Sequence, residues 1–365
     1  MPAQQFQVRK TDLSKHRLVE HPTPTPGDGE ALVEIDRFAL TANNITYGVV
    51  GEKIGYWKFF PAIENDDEDW GIIPVWGFAD VVSSHAAGLD EGERLYGYFP
   101  MASHLIMRPA KIAEDRLTDA AAHRESLPPV YNSYRRVLNE PGYDPDREND
   151  RMLLHPLYAT AFCLHDFFSD NGWFGADRVI VVSASSKTAI GVAYAFSGDP
   201  GAPATIGMTS PGNLERVKAL GLYDTVLAYD DLTAVDADRP TAIIDMSGSG
   251  DVLSGLHSHL GDNMRYCSNV GLTHWSDNTM GPGFIRARSA MFFAPGHIQK
   301  RATDWGPGVF EKKAFEFWLS ASEKSRSWLT IKTVAGLADA QRTFDDLRDG
   351  KVAPDTGLVV EMRTD

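Results

Sequence analysis

The pattern of apolar and polar positions divides the chain into two parts. In the first, short β-like runs are separated by Gly and Pro. His21–Gly29 (HPTPTPGDG) precedes a run over Ala31–Ile35, and Ile72–Ser83 (IIPVWGFADVVS) and Arg94–Met107 repeat the pattern. Between them lie Phe38–Gly51 (FALTANNITYGVVG), the aromatic stretch Tyr56–Pro61 and the acidic loop Glu64–Asp69. These runs predict an irregular, barrel-like domain. Tyr143–Arg151, rich in Asp, Glu and Pro, reads as a boundary.

Beyond it the period changes. Leu157–Phe168 has helical spacing, Arg178–Val182 (RVIVV) is a continuous apolar strand, and Thr188–Phe196 is a small-residue apolar helix. Ala204–Met208, Thr225–Tyr229, Thr241–Met246 and Met264–Val270 read as further strands, with a helix over Leu214–Leu220. Strands alternating with helices predict a parallel, doubly wound sheet. Phe310–Ser320 and Ala338–Arg348 read as helices and Gly357–Met362 as a closing strand. The predicted class is α/β.

Composition narrows the chemistry. With 365 residues, two domains are expected. Fifty acidic against 35 basic side chains give a net charge of −15, which disfavours a nucleic-acid or anionic-membrane partner. No run of about 18 apolar residues occurs, and the start MPAQQFQVRK lacks the apolar stretch of a secretory signal, so a cytoplasmic protein is expected. Two cysteines, Cys163 and Cys267, are too few for a disulfide framework or a Cys-rich zinc site.

The turn after the first strand of a doubly wound sheet is where a dinucleotide pyrophosphate meets a helix N-terminus. Here it reads SASSKTA. It lacks the usual glycines but stays small, with Ser183, Ser185, Ser186 and Thr188 as hydroxyl donors and Lys187 as a cation. The alternative is a plain strand–turn–helix with a serine cap. After the second strand, Thr209, Ser210, Asn213 and Arg216 stand where an acidic residue would hold the ribose of NAD. Hydroxyls, an amide and a guanidinium suit a 2′-phosphate, so NADP(H) is the expected cofactor. Tyr229 ends the third strand, either flanking the adenosine phosphate or serving simply as a strand-end aromatic. Met246 and Ser247 end the next strand, and GLTHW (Gly271, Thr273) follows the one after, on the nicotinamide side.

The order of parts, with RFALTANNITYGVVG, KALGLYDTVLAYDDL and TAIIDMSGSGDVLSGL, resembles the medium-chain dehydrogenase/reductase superfamily, and within it the zinc-free quinone and enoyl reductases. WGFADVV, ERLYGYFPM, SASSKTA, LGLYD and VGLTHW resemble more narrowly a bacterial branch without an assigned function. The resemblance implies a GroES-like barrel over residues 1–150 and 300–365 and a Rossmann domain over 151–299. It implies NADPH-dependent hydride transfer to a carbonyl or activated C=C bond of an apolar or aromatic small molecule. A homodimer is compatible with it. It also places a tyrosine proton donor at Tyr56 or Tyr47, with Tyr56 slightly preferred, and Asn44 near the superfamily's usual Asp or Asn. The alternative for these tyrosines is aromatic packing. The superfamily's zinc ligands are missing, and His257 and His259, at i and i+2 of a predicted helix, face opposite ways, so no metal is expected. The contrasting reading is a catalytically silent NADP(H)-binding sensor or structural protein.

Overall fold

The computed structural model of the protein describes residues 2–270 and 280–363. They form two compact units, one of residues up to Leu153 together with those from Thr330, the other of Leu154–Leu329.

The first unit is mostly antiparallel. Its strands are β1 (Ala3–Arg9), β2 (Asp12–His21), β3 (Ala31–Leu40), β4 (Trp70–Gly71), β5 (Pro74–Ser84), β6 (Arg94–Pro100), β7 (His104–Met107), β8 (Pro109–Ala110), β9 (Arg116–Asp119) and β10 (Ser133–Arg136). β1 joins β2 and β4 in a three-stranded sheet. β3 pairs with β5, which pairs with β6, and β10, β9 and β8 continue that larger sheet. Facing strands place large rings on one side: Trp76 lies opposite Tyr98, and Phe78 opposite Tyr96. Period-two alternation thereby builds an aromatic face. α1 (Ala42–Val49) and the single turn α2 (Gly51–Ile54) leave the end of β3, so Phe38–Gly51 divides between a strand and a helix.

In the second unit, β11 (Arg178–Val182), β12 (Ala204–Thr209), β13 (Thr225–Ala228), β14 (Thr241–Asp245), β15 (Met264–Asn269) and β16 (Ser289–Met291) form one parallel sheet in the order β13-β12-β11-β14-β15-β16. Val179, Val181, Ala242 and Ile244 pack on one face with Leu164 and Phe168 of α3 (Glu148–Asp170) and Val192 and Phe196 of α4 (Lys187–Ser197). Ile180, Val182 and Ile243 pack on the other with Leu253, Leu256 and Leu260, residues of Gly250–Leu260. Burial on both faces is why these strands read as unbroken apolar runs. α5 (Leu214–Leu220) follows β12, and Gly250–Leu260 is α6.

Two further helices correct the expected boundary. α7 (Ala294–Trp305) and α8 (Val309–Ser325) place residues 300–329 in the second unit, not the first. Both pack on α3. Asp166 accepts hydrogen bonds from His297 Nε2 at 2.6 Å and Arg301 Nε at 2.5 Å, Phe310 and Ala314 cluster with Cys163, and Tyr158 Oη meets Ser325 Oγ at 2.6 Å. The chain re-enters the first unit at β17 (Thr330–Ala335), runs through α9 (Gly336–Arg348) and ends on β18 (Thr356–Glu361), which pairs with β3. Among the described residues no helix is long and apolar enough to cross a membrane.

Candidate active site

In the parallel sheet, β11 sits between β12 and β14, so their carboxyl ends bring the turns after them to one edge. Ser183, first residue of the turn after β11, has φ +63°, the left-handed conformation that glycine adopts most easily. Ser186 caps α4, accepting from Ala189 N–H at 3.3 Å, and Lys187 and Thr188 lie half-buried in the first helical turn. Ser185 is buried and accepts from Thr209 Oγ1 at 3.3 Å, tying the turn to the end of β12. Beneath the turn, the buried Tyr223 hydroxyl lies 3.1 Å from the carbonyl oxygens of both Ala184 and Ala189. Gly207 permits this, since a Cβ there would stand 2.8 Å from the Tyr223 ring.

The tip of β12 carries no carboxylate: it reads Thr209 and Ser210. Asn213 donates to Ser210 Oγ at 3.1 Å, so these two residues shape the entry to α5, on which Arg216 is exposed. Tyr229, after β13, directs its phenol to Ser183, and burial pushes its pKa up. Met246 and the half-buried Ser247 follow β14, as expected from the sequence. Gly271 and Thr273 lie outside the described residues.

Sequence reasoning missed Asp245, the last residue of β14. Its fully buried carboxylate accepts from Ser247 N–H (2.9 Å), Ser247 Oγ (2.7 Å) and Gly248 N–H (3.0 Å). Burial outweighs these bonds and pushes its pKa up to about 6. The available signal was the single acid ending the apolar run TAIID.

In the first unit, the three residues singled out from the sequence fall close together but differ in state. Asn44 is a structural amide. Its Oδ1 accepts from Thr41 N–H at 2.7 Å and Thr41 Oγ1 at 3.2 Å, and its Nδ2 donates to Pro74 O at 2.9 Å, which fixes the start of α1 against β5. Tyr56 Oη is paired with Tyr131 Oη at 3.1 Å, and both phenols are buried. Tyr47, whose ring centroid is 4.5 Å from that of Tyr56, accepts from Asn43 Nδ2 at 2.7 Å. Desolvation pushes both the Tyr47 and Tyr56 phenols up, and their neutral, proton-bearing forms prevail at neutral pH. Tyr131 is held from behind by Arg124. Its guanidinium, 1% exposed, donates to Tyr131 O (2.8 Å), Asn132 Oδ1 (2.9 Å), Tyr134 Oη (2.9 Å) and Asp119 Oδ2 (2.6 Å).

His257 and His259 do not share a ligand. His257 is buried, its Nδ1 accepts from Ile285 N–H at 2.9 Å, and its ring stacks on Phe284, whereas His259 Nε2 meets Val235 O at 2.6 Å. Among the described residues no group of three or more His, Cys, Asp or Glu could hold a metal ion.

Residues 38–353 match the model of a family described as "Protein of unknown function (DUF2855)". The chain belongs to this family. No curated protein matches the sequence. In solved structures, this DUF2855 member is similar to CurA from Vibrio vulnificus in complex with NADPH, at 14% identity and a TM-score of 0.63 over 99% of this chain and 100% of that one. CurK enoyl reductase follows at 12% identity and TM-score 0.60, and a quinone oxidoreductase from Coxiella burnetii at 15% and 0.53, each over the whole of both chains. The fold is that of the medium-chain dehydrogenase/reductases, with a GroES-like first unit and a Rossmann second unit.

Proposed function

We propose that this DUF2855 protein is an NADP(H)-dependent reductase that delivers hydride to a carbonyl or activated C=C bond of an apolar or aromatic small molecule, without zinc. The observation that carries this reading is the edge of the parallel sheet. There a small turn on a helix N-terminus, ringed by Ser183, Ser185, Ser186, Lys187 and Thr188, lies beside a strand tip with no carboxylate. This donor set fits a dinucleotide phosphate: hydroxyls and backbone N–H groups face an anion, Lys187 adds charge, and nothing at Thr209 or Ser210 repels a 2′-phosphate. Ser210, Asn213 and Arg216 would hold that phosphate, Tyr229 would flank it, and Met246 and Ser247 would border the nicotinamide ribose. When bound, the cofactor supplies the hydride.

The chain's part in the chemistry is to bind, exclude water and move one proton. Of the candidate donors, Tyr47 is better placed than Tyr56, because the Tyr56 hydroxyl is already paired with another phenol. Of the aromatic cluster around them, Tyr56, Phe59, Tyr98 and Tyr131 pack on one another in the core, and the half-buried Trp76 is the ring left to meet a flat substrate. Similarity to the NADPH-bound CurA and to CurK enoyl reductase supports the same class of reaction. Calorimetry tests the cofactor assignment. NADPH should bind more tightly than NADH by on the order of tenfold or more, and Arg216→Ala should narrow that gap while leaving NADH unaffected. Equal affinities would reject it.

A further inference from the structure

Tyr47 stands in an unusual polar setting for a side chain walled by rings. Its Oη accepts from Asn43 Nδ2, one helical turn earlier on α1, at 2.7 Å. Two more buried donors lie on the sheet beside it: Tyr98, whose ring meets that of Tyr47 edge-on with centroids 5.6 Å apart, and Trp76, whose ring centroid is 5.2 Å from that of Tyr98. Neither makes a hydrogen bond of proper geometry with any described residue. Tyr98 is fully buried, and Trp76 and Tyr98 are directly opposed on β5 and β6, so strand register places both beside α1. Buried polar groups are normally paired, so two orphaned donors packed beside one phenol call for a function. Asn43 Nδ2 and the indole N–H can only donate, which leaves the Tyr98 hydroxyl as the single group among the three able to take the Tyr47 proton. The titratable groups around Tyr47 are themselves phenols: Tyr56, Tyr96, Tyr98 and Tyr131.

We propose that Asn43, Trp76 and Tyr98 are positioning residues that hold the negative charge on Tyr47 Oη when its proton is given to the substrate. The inference rests on the reading of Tyr47 as proton donor and adds its charge-stabilising groups. In the step, the Tyr47 O–H bond breaks, its electron pair stays on Oη, the proton bonds to the substrate atom made basic by the incoming hydride, and water later restores the proton. The three donors tighten on the phenolate, which is where hydrogen bonds gain most over the neutral state.

The test reads the phenol directly, with neither cofactor nor substrate. A fluorinated tyrosine placed at position 47 of the full chain titrates in an accessible range and is followed by ¹⁹F resonance. Tyr98→Phe, Trp76→Phe and Asn43→Ala should each raise its pKa by about one unit or more, since a hydrogen bond to a charged group is worth roughly that much. Tyr56→Phe removes a neighbouring phenol and no donor, so it should leave the value unchanged or lower. Tyr98→Phe keeps the ring, which separates loss of the donor from loss of packing. An unshifted titration in all three donor variants overturns the proposal. Shifted titrations together with full turnover in Tyr47→Phe would uphold the donor cage and instead refute Tyr47 as the proton donor.

Discussion

At the scale of single residues, the site is decided by what each polar atom already touches. Tyr47 and Tyr56 lie with ring centroids 4.5 Å apart, and the sequence slightly favours Tyr56, yet the Tyr56 phenol is paired with Tyr131 while Tyr47 accepts from Asn43 beside two unpaired donors. Tyr47→Phe should therefore lower turnover by about 10²- to 10⁴-fold, the usual worth of a general acid, while NADPH affinity and melting temperature stay nearly constant. Tyr56→Phe should cost far less, and the reverse ranking would return the role to Tyr56. Asp245 gives a prediction of a different kind. Its folded pKa, about 6, lies above its ordinary value of 3.8, so the native state binds the proton more readily than the unfolded chain. The penalty for the buried charge is present at neutral pH and is relieved as pH falls through 6 towards 4. Melting curves should show wild type gaining on Asp245→Asn over that window by about 3 kcal/mol, at 1.36 kcal/mol per unit. A gap independent of pH would refute the assignment. His257, held by burial at about 4, titrates with the opposite sign, which is why the comparison uses a variant and not the wild-type profile alone.

At the scale of elements, legibility followed burial. The strands of the Rossmann sheet are buried on both faces, and Arg178–Val182 stood out in the sequence as an unbroken apolar run. The hairpin of Ala3–Arg9 and Asp12–His21 did not, because polar residues such as the half-buried Gln5 and Arg17 and the exposed Lys15 interrupt its alternation. The small turn proposed for the cofactor was legible as a strand–turn–helix from its place after β11, without the glycine fingerprint. The Tyr47 setting was not. Its donors come from α1, β5 and β6, and only strand register brings Trp76 opposite Tyr98. Asn44 is ambiguous for a related reason: an amide at the third position of a helix, as here, serves a capping box as readily as a ligand. Arg124 escaped attention for want of any local pattern, although it links β9, β10 and the turn bearing Tyr131. Arg124→Met should leave Asp119 charged, buried and unpaired by a cation, and lower stability in urea by about 3–5 kcal/mol. A loss under about 1 kcal/mol would show that the network is not needed to hold this turn.

At the scale of the whole molecule, the division into two units follows packing, not the reach of sequence similarity. Aromatic spacing marked Phe310–Ser320 as a helix, but nothing in it announced that α8 packs on α3 through Cys163 and Tyr158 and so belongs with the Rossmann unit. The net charge of −15 sets the proposed cofactor site apart, since the Lys187 turn and the Arg216 helix bring cations and hydroxyls to an otherwise acidic chain. The account as a whole claims hydride transfer from NADPH. The most direct measurement incubates the protein with NADPH carrying deuterium on the transferable nicotinamide carbon and a panel of quinones, conjugated ketones and aromatic aldehydes, then follows the loss of reduced-nicotinamide absorbance and the deuterium content of the product by mass spectrometry. The account predicts turnover with at least one flat, apolar acceptor, with one deuterium delivered per NADPH consumed and far slower reaction with NADH. Tight NADPH binding with no deuterium transferred to any acceptor would contradict it and identify a binding protein instead of a reductase.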